Sequence, residues 1–172
     1  MRSDCGPGDK QCGQAIIEMV LIIPILLTLL FSLVDVGRYT DRQVSLEAAT
    51  RDGTRYAITH PHAYNSSSSA PADSIQGVTQ SEGGGATIIN DDTHLTLQYQ
   101  DNSGASATPC ANYKPSTGLT YVGAYGPTTC LVPGNLIVVT TKYQYTILAP
   151  PFSAFFPNGV TMTATFTMVE MS

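Results

Sequence analysis

One apolar run restricts this chain more than any other feature. Residues 15–34 read AIIEMVLIIPILLTLLFSLV, and Glu18 is the only charge. Twenty residues at the α-helical rise span about 30 Å, the hydrocarbon thickness of a bilayer. Apolar side chains go all the way round such a helix, which excludes a surface-lying amphipathic stripe. A secretory signal core is shorter, about 7–15 residues, and ends at a small-residue cleavage site. Here the run passes into VDVGRYTDRQ with no such site, and Cys12 precedes it rather than following as in a lipoprotein signal. Pro24 would break a helix in water but is tolerated as a kink within a span. A carboxylate at the bilayer centre costs about 2.5–3.5 kcal/mol. Glu18 therefore either reaches the interface or pairs with a positive group on a neighbouring subunit.

The rest of the chain is poor in charge. The formal net charge is −5, and residues 61–172 carry only Lys114 and Lys142 against Asp73, Glu82, Asp91, Asp92, Asp101 and Glu170. Such a surface repels a polyphosphate, so no nucleic acid partner is expected. Cys5 and Cys12 precede the apolar run, whereas Cys110 and Cys130 lie far beyond it. The later pair reads as a disulfide beyond a membrane segment, stabilising by roughly 3 kcal/mol in the chain-entropy picture. Two free thiols are the competing reading and require a reducing compartment.

Past the span, residues 36–58 contain no proline, and Leu46, Ala49, Gly53 and Ala57 recur at helical spacing. The helix is expected to run over 14–59 and stop before Pro61. Its small-residue stripe, with Ala49 and Gly53, would pack on a sheet or another helix. Arg38, Arg51 and Arg55 lie on exposed or partner-facing turns. Residues 60–85 form a Ser/Gly-rich linker with a helical turn near Ser74–Thr79. A head over 86–172 shows strand patterns at Ala86–Ile89, His94–Gln100, Leu136–Ile147 and Val160–Met171, plus a short candidate at Leu119–Ala124. Residues 101–134 otherwise read as irregular, bracketed by Cys110 and Cys130. The expected fold is α+β: the stalk helix on the apolar face of an antiparallel sheet of about four strands. The connection Ala149–Pro157, with Phe152, Phe155 and Phe156 between prolines, is either an exposed apolar patch for a neighbouring subunit or the bilayer surface, or a loop folded onto the core.

No nucleophile motif, phosphate loop or paired catalytic carboxylate occurs. His60-Pro61-His62 lacks a third metal ligand, and Asn90-Asp91-Asp92 is explained by a turn. Asn65-Ser66-Ser67 is a glycosylation acceptor in form only. No enzyme, cofactor, metal or small-molecule substrate is expected.

Two motifs carry resemblances. Gly13-Gln14-Ala15-Ile16-Ile17-Glu18, after a short polar leader over 1–13, resembles a type IV prepilin cleavage site. That likeness implies cutting between Gly13 and Gln14 by a prepilin peptidase. The new Gln14 ammonium of one subunit could then be neutralised by Glu18 of another. The longer stretch from Gly13 to Ala57 is similar to the N-terminal signature of TadE-like proteins. It carries Gly13, Glu18, Pro24, Asp35, Gly37, Arg38, Ala48, Ala49, Arg51, Gly53, Arg55, Tyr56 and Ala57, with Thr50 and Asp52 at variable-looking places. The alternating C-terminus closing on Glu170 also resembles that family. The resemblance implies a pilin-like subunit or assembly factor of a tight-adherence pilus with no enzymatic activity. Its partners would be other pilin-like subunits, the peptidase and membrane lipid. It would be single-pass in the cytoplasmic membrane, N-terminus inside and head outside. The alternative is a membrane-anchored adhesin head not built into a filament. The long middle of the head departs from the shorter heads the family implies.

Overall fold

A computed structural model describes residues 10–64, 71–84, 88–104, 106–148, 154 and 156–170. Helix α1, Lys10–Thr59, is followed by a short helix α2, Ile75–Ser81. Strands β1 (Leu95–Asp101), β2 (Thr108–Lys114) and β3 (Gly118–Tyr121) come next, then one helical turn α3 (Pro127–Cys130). Strands β4, Leu136–Tyr145, and β5, Val160–Val169, complete the fold. The strands make one antiparallel sheet in the order β3-β2-β1-β4-β5. The fold is α+β, with the second half of the long N-terminal helix packed on this sheet.

The sheet has five strands where about four are expected. The added one is β2, which lies in the segment read as irregular. Its first residues, Thr108 and Pro109, are exposed, but Ala111 and Tyr113 face inward and are buried. Between Tyr99 and Gln100 the register shifts by one residue, and Cys110 of β2 is the residue skipped. The strand expected at Ala86–Ile89 has no counterpart: Ile88–Asn90 is not a strand, and residues 86 and 87 lie outside the described set. The candidate at Leu119–Ala124 is β3, shifted toward its N-terminus.

The chain divides into two compact units, and α1 contributes to both. The first comprises the helix through Arg38 with residues 146–159. The second comprises Tyr39–Tyr145 and the strand from Val160 onward.

In the second unit the sequence period explains the packing. Leu46, Ala49, Thr50, Gly53, Thr54, Ala57 and Ile58 are buried, while Glu47, Ala48, Arg51 and Arg55 are exposed. That is a stripe at three- and four-residue steps. Facing it are Leu95, Leu97 and Tyr99 of β1, Ile137, Val139 and Thr141 of β4, and Met162 and Ala164 of β5. Each fully buried Leu, Ile or Met contributes about 1.5–3 kcal/mol as an upper estimate. The threonines on the stripe do not leave hydroxyls unpaired. Thr54 Oγ1 donates to the Thr50 carbonyl at 2.6 Å, and Thr50 Oγ1 bonds both the Leu46 carbonyl and Thr141 Oγ1. Thr50 is thus a packing residue, although it reads as a variable position in sequence.

The helix ends where Pro61 forbids its continuation. The turn that follows is tied down at both sides. Tyr99 Oη donates to the Pro61 carbonyl at 2.6 Å, and Tyr56 Oη donates to the Asp73 carbonyl at 2.7 Å. The helical turn expected near Ser74–Thr79 is α2, capped by Ser74 Oγ, which accepts the Gly77 N–H at 3.0 Å. Ile75, Gln76 and Thr79 are buried, so this part of the Ser/Gly-rich stretch belongs to the packed unit. The Asn65-Ser66-Ser67 motif lies outside the described residues.

Candidate functional site

The first unit presents an uncovered apolar helix. Among the described residues α1 is the one helix long and apolar enough to cross a membrane, judged by length and composition. From Ile16 to Val34 its large apolar side chains are 43–71% exposed. A helix coated on all sides by aliphatic groups has no low-energy arrangement in water. Its two hydroxyls are already satisfied. Thr28 Oγ1 donates to the Pro24 carbonyl at 2.8 Å, and Ser32 Oγ to the Thr28 carbonyl at 2.6 Å. Both can therefore sit in an apolar surrounding with little penalty.

The Gly13–Gln14 peptide lies within α1 as described, which begins at Lys10. Gln14 and Glu18 are exposed. Four residues separate them, about 6 Å along the axis. Among the described residues no ion pair involves Glu18.

The remaining expected contacts divide cleanly. Ala49 and Gly53 are buried, and Gly53 takes α2 at very close range: a Cβ there would lie 1.9 Å from Thr79 Oγ1. Arg38, Arg51 and Arg55 are exposed, and no carboxylate of the described residues pairs with them. They lie on the exposed face of the helix.

Cys110 in β2 and Cys130 at the end of α3 are joined, with Cα atoms 5.7 Å apart and both residues fully buried. The closed loop holds the β2–β3 hairpin, so its backbone has ladder partners, contrary to the expectation of an irregular loop. Beside it lies an open cleft of about 670 Å³ lined by residues including Asp101, Asn102, Tyr125, Thr129 and Asn135. Its polar groups serve the fold. Asp101 accepts the Ser103 N–H at 2.9 Å and the Tyr125 hydroxyl at 3.0 Å. These bonds hold its carboxyl below the ordinary range. Asn135 accepts the Asn102 N–H and donates to the Cys130 carbonyl at 2.9 Å.

Three further carboxylates are perturbed: Asp91 and Asp92 downward and Glu170 upward. Desolvation pushes Asp91 upward, but bonds from the His94 ring and from the Thr93 and His94 backbone outweigh it and bring the pKa to about 2. The Asn90-Asp91-Asp92 segment is thus a turn organised by Asp91, with Asp92 bonding Ser116. Burial raises Glu170, opposed by the charge of His62, and Glu170 Oε2 has no hydrogen-bond partner among the described residues. No group of three metal-ligating side chains occurs among the described residues.

Residues 13–55 match the family model described as TadE-like protein. The chain carries a TadE-like N-terminal segment. No curated protein and no solved structure matches the chain. The match covers about a quarter of the sequence and points to a Tad pilus-associated protein. The TadE-like segment takes in both characters of α1, the exposed apolar span and most of the buried stripe that includes Ala49 and Gly53. It stops before the sheet. Two residues have structural roles beyond those read from the sequence. Asp35 is one of the matching positions, but its buried carboxylate also accepts the Leu148 N–H at 3.1 Å. An Asp directly after an apolar span was the available signal. Thr79 gives none, since its role depends on where α2 docks.

Proposed function

We propose that this chain is a pilin-like subunit or assembly factor of a Tad-type pilus, held in a membrane by α1 and joined to other subunits through it. One observation carries the reading: the TadE-like segment coincides with a helix whose first half is apolar and exposed on every side and whose second half is striped and buried on its own sheet. The second half is used internally. The apolar run of the first half is exposed among the described residues and is left for lipid and for like helices. In this reading a prepilin-type peptidase cuts after Gly13, and the Gln14 ammonium of one subunit meets Glu18 of the next. The N-terminal side is cytoplasmic, and the unit containing Cys110 and Cys130 lies outside.

The tests separate processing from assembly. The intact mass of the protein recovered from its native membrane should correspond to a chain starting at Gln14. A chain still starting at Met1 would sink the cleavage step. Glu18→Ala should leave membrane insertion unchanged and abolish incorporation into filaments or assembly complexes. If the variant assembles as the parent does, the helix is an anchor only and an adhesin-type head becomes the better reading.

A further inference from the structure

Unit one contains a second apolar segment besides the helix. The β4–β5 connection, Thr146–Gly159, has no Asp, Glu, Lys, Arg or His. It clusters with α1 through Arg38 as one compact body. A specific bond fixes its level along the helix. The Leu148 N–H donates to both oxygens of Asp35, at 3.1 and 3.4 Å. Asp35 is only 9% exposed, although it is the first charge after Glu18. It stands immediately beyond the nineteen-residue stretch Ile16–Val34, which measures about 28 Å at the helical rise. That matches the thickness of a bilayer core, so Asp35 falls at its edge. The next charges along the helix are Arg38, Asp41 and Arg42.

Leu148, held at this level, is 61% exposed, and Leu33, Val34 and Val36 of the helix are 58–71% exposed. Further along the same loop Phe156 is 50% exposed. Phe156 is held by a turn in which its carbonyl accepts the Gly159 N–H at 2.9 Å. Phe152 and Phe155 lie outside the described residues, and nothing here depends on them. An exposed Leu and Phe on an uncharged loop would be a liability in water. At the boundary of a bilayer the same groups meet acyl chains, while the loop carbonyls meet headgroups and water. The Asp35 carboxylate is compatible with that depth, because a backbone N–H already satisfies it.

We infer that Leu148 and Phe156, at the described ends of the Thr146–Gly159 loop, form a second membrane contact: they sit in the interfacial layer of the bilayer that Ile16–Val34 spans. This rests on the reading of α1 as a span. Lipid is preferred over a second copy because the level of Leu148 is set by a bond to the residue that ends the apolar run, making the loop continuous with the lipid-facing surface.

The chain has no tryptophan, so each introduced one is a unique reporter. The full chain is reconstituted in phosphatidylcholine vesicles carrying lipids brominated near the glycerol or near the chain end. Four variants are compared: Phe156→Trp, Leu148→Trp, Leu26→Trp within the apolar run, and Thr120→Trp on β3. Phe156→Trp and Leu148→Trp should emit at shorter wavelength than Thr120→Trp and be quenched at least two-fold more by shallow than by deep bromines. Leu26→Trp should prefer the deep bromines. Either loop reporter suffices if the other variant does not fold. If both match Thr120→Trp while Leu26→Trp is quenched, the loop inference is overturned and the span stands. Loop reporters shielded from bromine and from aqueous acrylamide alike would assign the loop to a protein interface, again overturning it. An unquenched Leu26→Trp would remove the span, and the loop inference with it.

Discussion

Gly53→Ala should destabilise the protein, and the sign is the informative part. In the middle of a helix with open space around it, replacing Gly by Ala is stabilising by about 1 kcal/mol. At Gly53 the new Cβ would sit 1.9 Å from Thr79 Oγ1 and 3.0 Å from Thr79 Cβ. Thr79 cannot swing aside cheaply: it is fully buried, β-branched, and donates its hydroxyl to the Ile75 carbonyl at 2.7 Å. Overpacking of a close contact costs about 1–3 kcal/mol. The upper part of that range applies, and after subtracting the propensity gain a net loss of about 2 kcal/mol remains. Circular dichroism melting of the full chain in detergent should then show a midpoint lower by about 5 °C for a chain of this size. Two companions make the measurement decisive. Gly37→Ala, whose Cβ meets nothing within 4 Å, should raise the midpoint slightly. Adding Thr79→Ala to Gly53→Ala should recover more than half of the loss, because the hydroxyl and methyl are gone and the helix ladder still uses the Ile75 carbonyl. If Gly53→Ala is neutral or stabilising, α2 does not approach α1 as described.

Two other perturbations act on the second unit. Replacing Cys110 and Cys130 together by Ser should lower stability by about 3 kcal/mol in denaturant titration, as loop closure over twenty residues implies; thiols that alkylate without reduction in the parent would refute the bond. Asp91 has its folded pKa depressed from 3.8 to about 2, so its contribution is complete above about pH 4 and is lost as pH falls toward 2. Because its side chain is 42% exposed, solvent screening keeps this below about 1 kcal/mol. Asp91→Asn should flatten that part of the stability–pH curve, and an unchanged acid slope would show that the turn does not depend on the carboxylate.

The elements legible in the sequence are those whose environment is uniform along their length. The span, β1, β4 and β5 each meet one kind of surrounding, so period and polarity report it directly. The strand β2 does not. Pro109 and exposed Thr108 open it, the residue after Cys110 is only Ala111, and Cys110 itself is an extra residue opposite the Tyr99–Gln100 step of β1. Ala111 and Tyr113, two apart beside a cysteine, were the faint signal. The buried hydroxyls of Thr50, Thr54 and Thr141 were illegible for a different reason. A threonine satisfied by the carbonyl four residues back, or by another threonine, counts as core, yet composition scores it as polar.

The same reasoning explains why a family model can end at residue 55 while the packed unit continues to 170. An inward position on β1 or β4 asks only for an apolar group of suitable volume. Leu97 or Val139 could be exchanged for a neighbour in size at a cost of about 1.5 kcal/mol or less. Many sequences meet that demand, so a sheet of this kind leaves a weak imprint. The helix is different. Gly53 admits no Cβ, Ala49 is buried to zero exposure, Asp35 must present a carboxylate to a loop amide, and Glu18 is a charge that nothing in the described chain neutralises. Each of these fixes an atom type at a position. The recognisable part of the sequence is therefore the part where contacts are specific, and on the proposed function the most exposed of them, Glu18, is the one whose contact lies in another subunit.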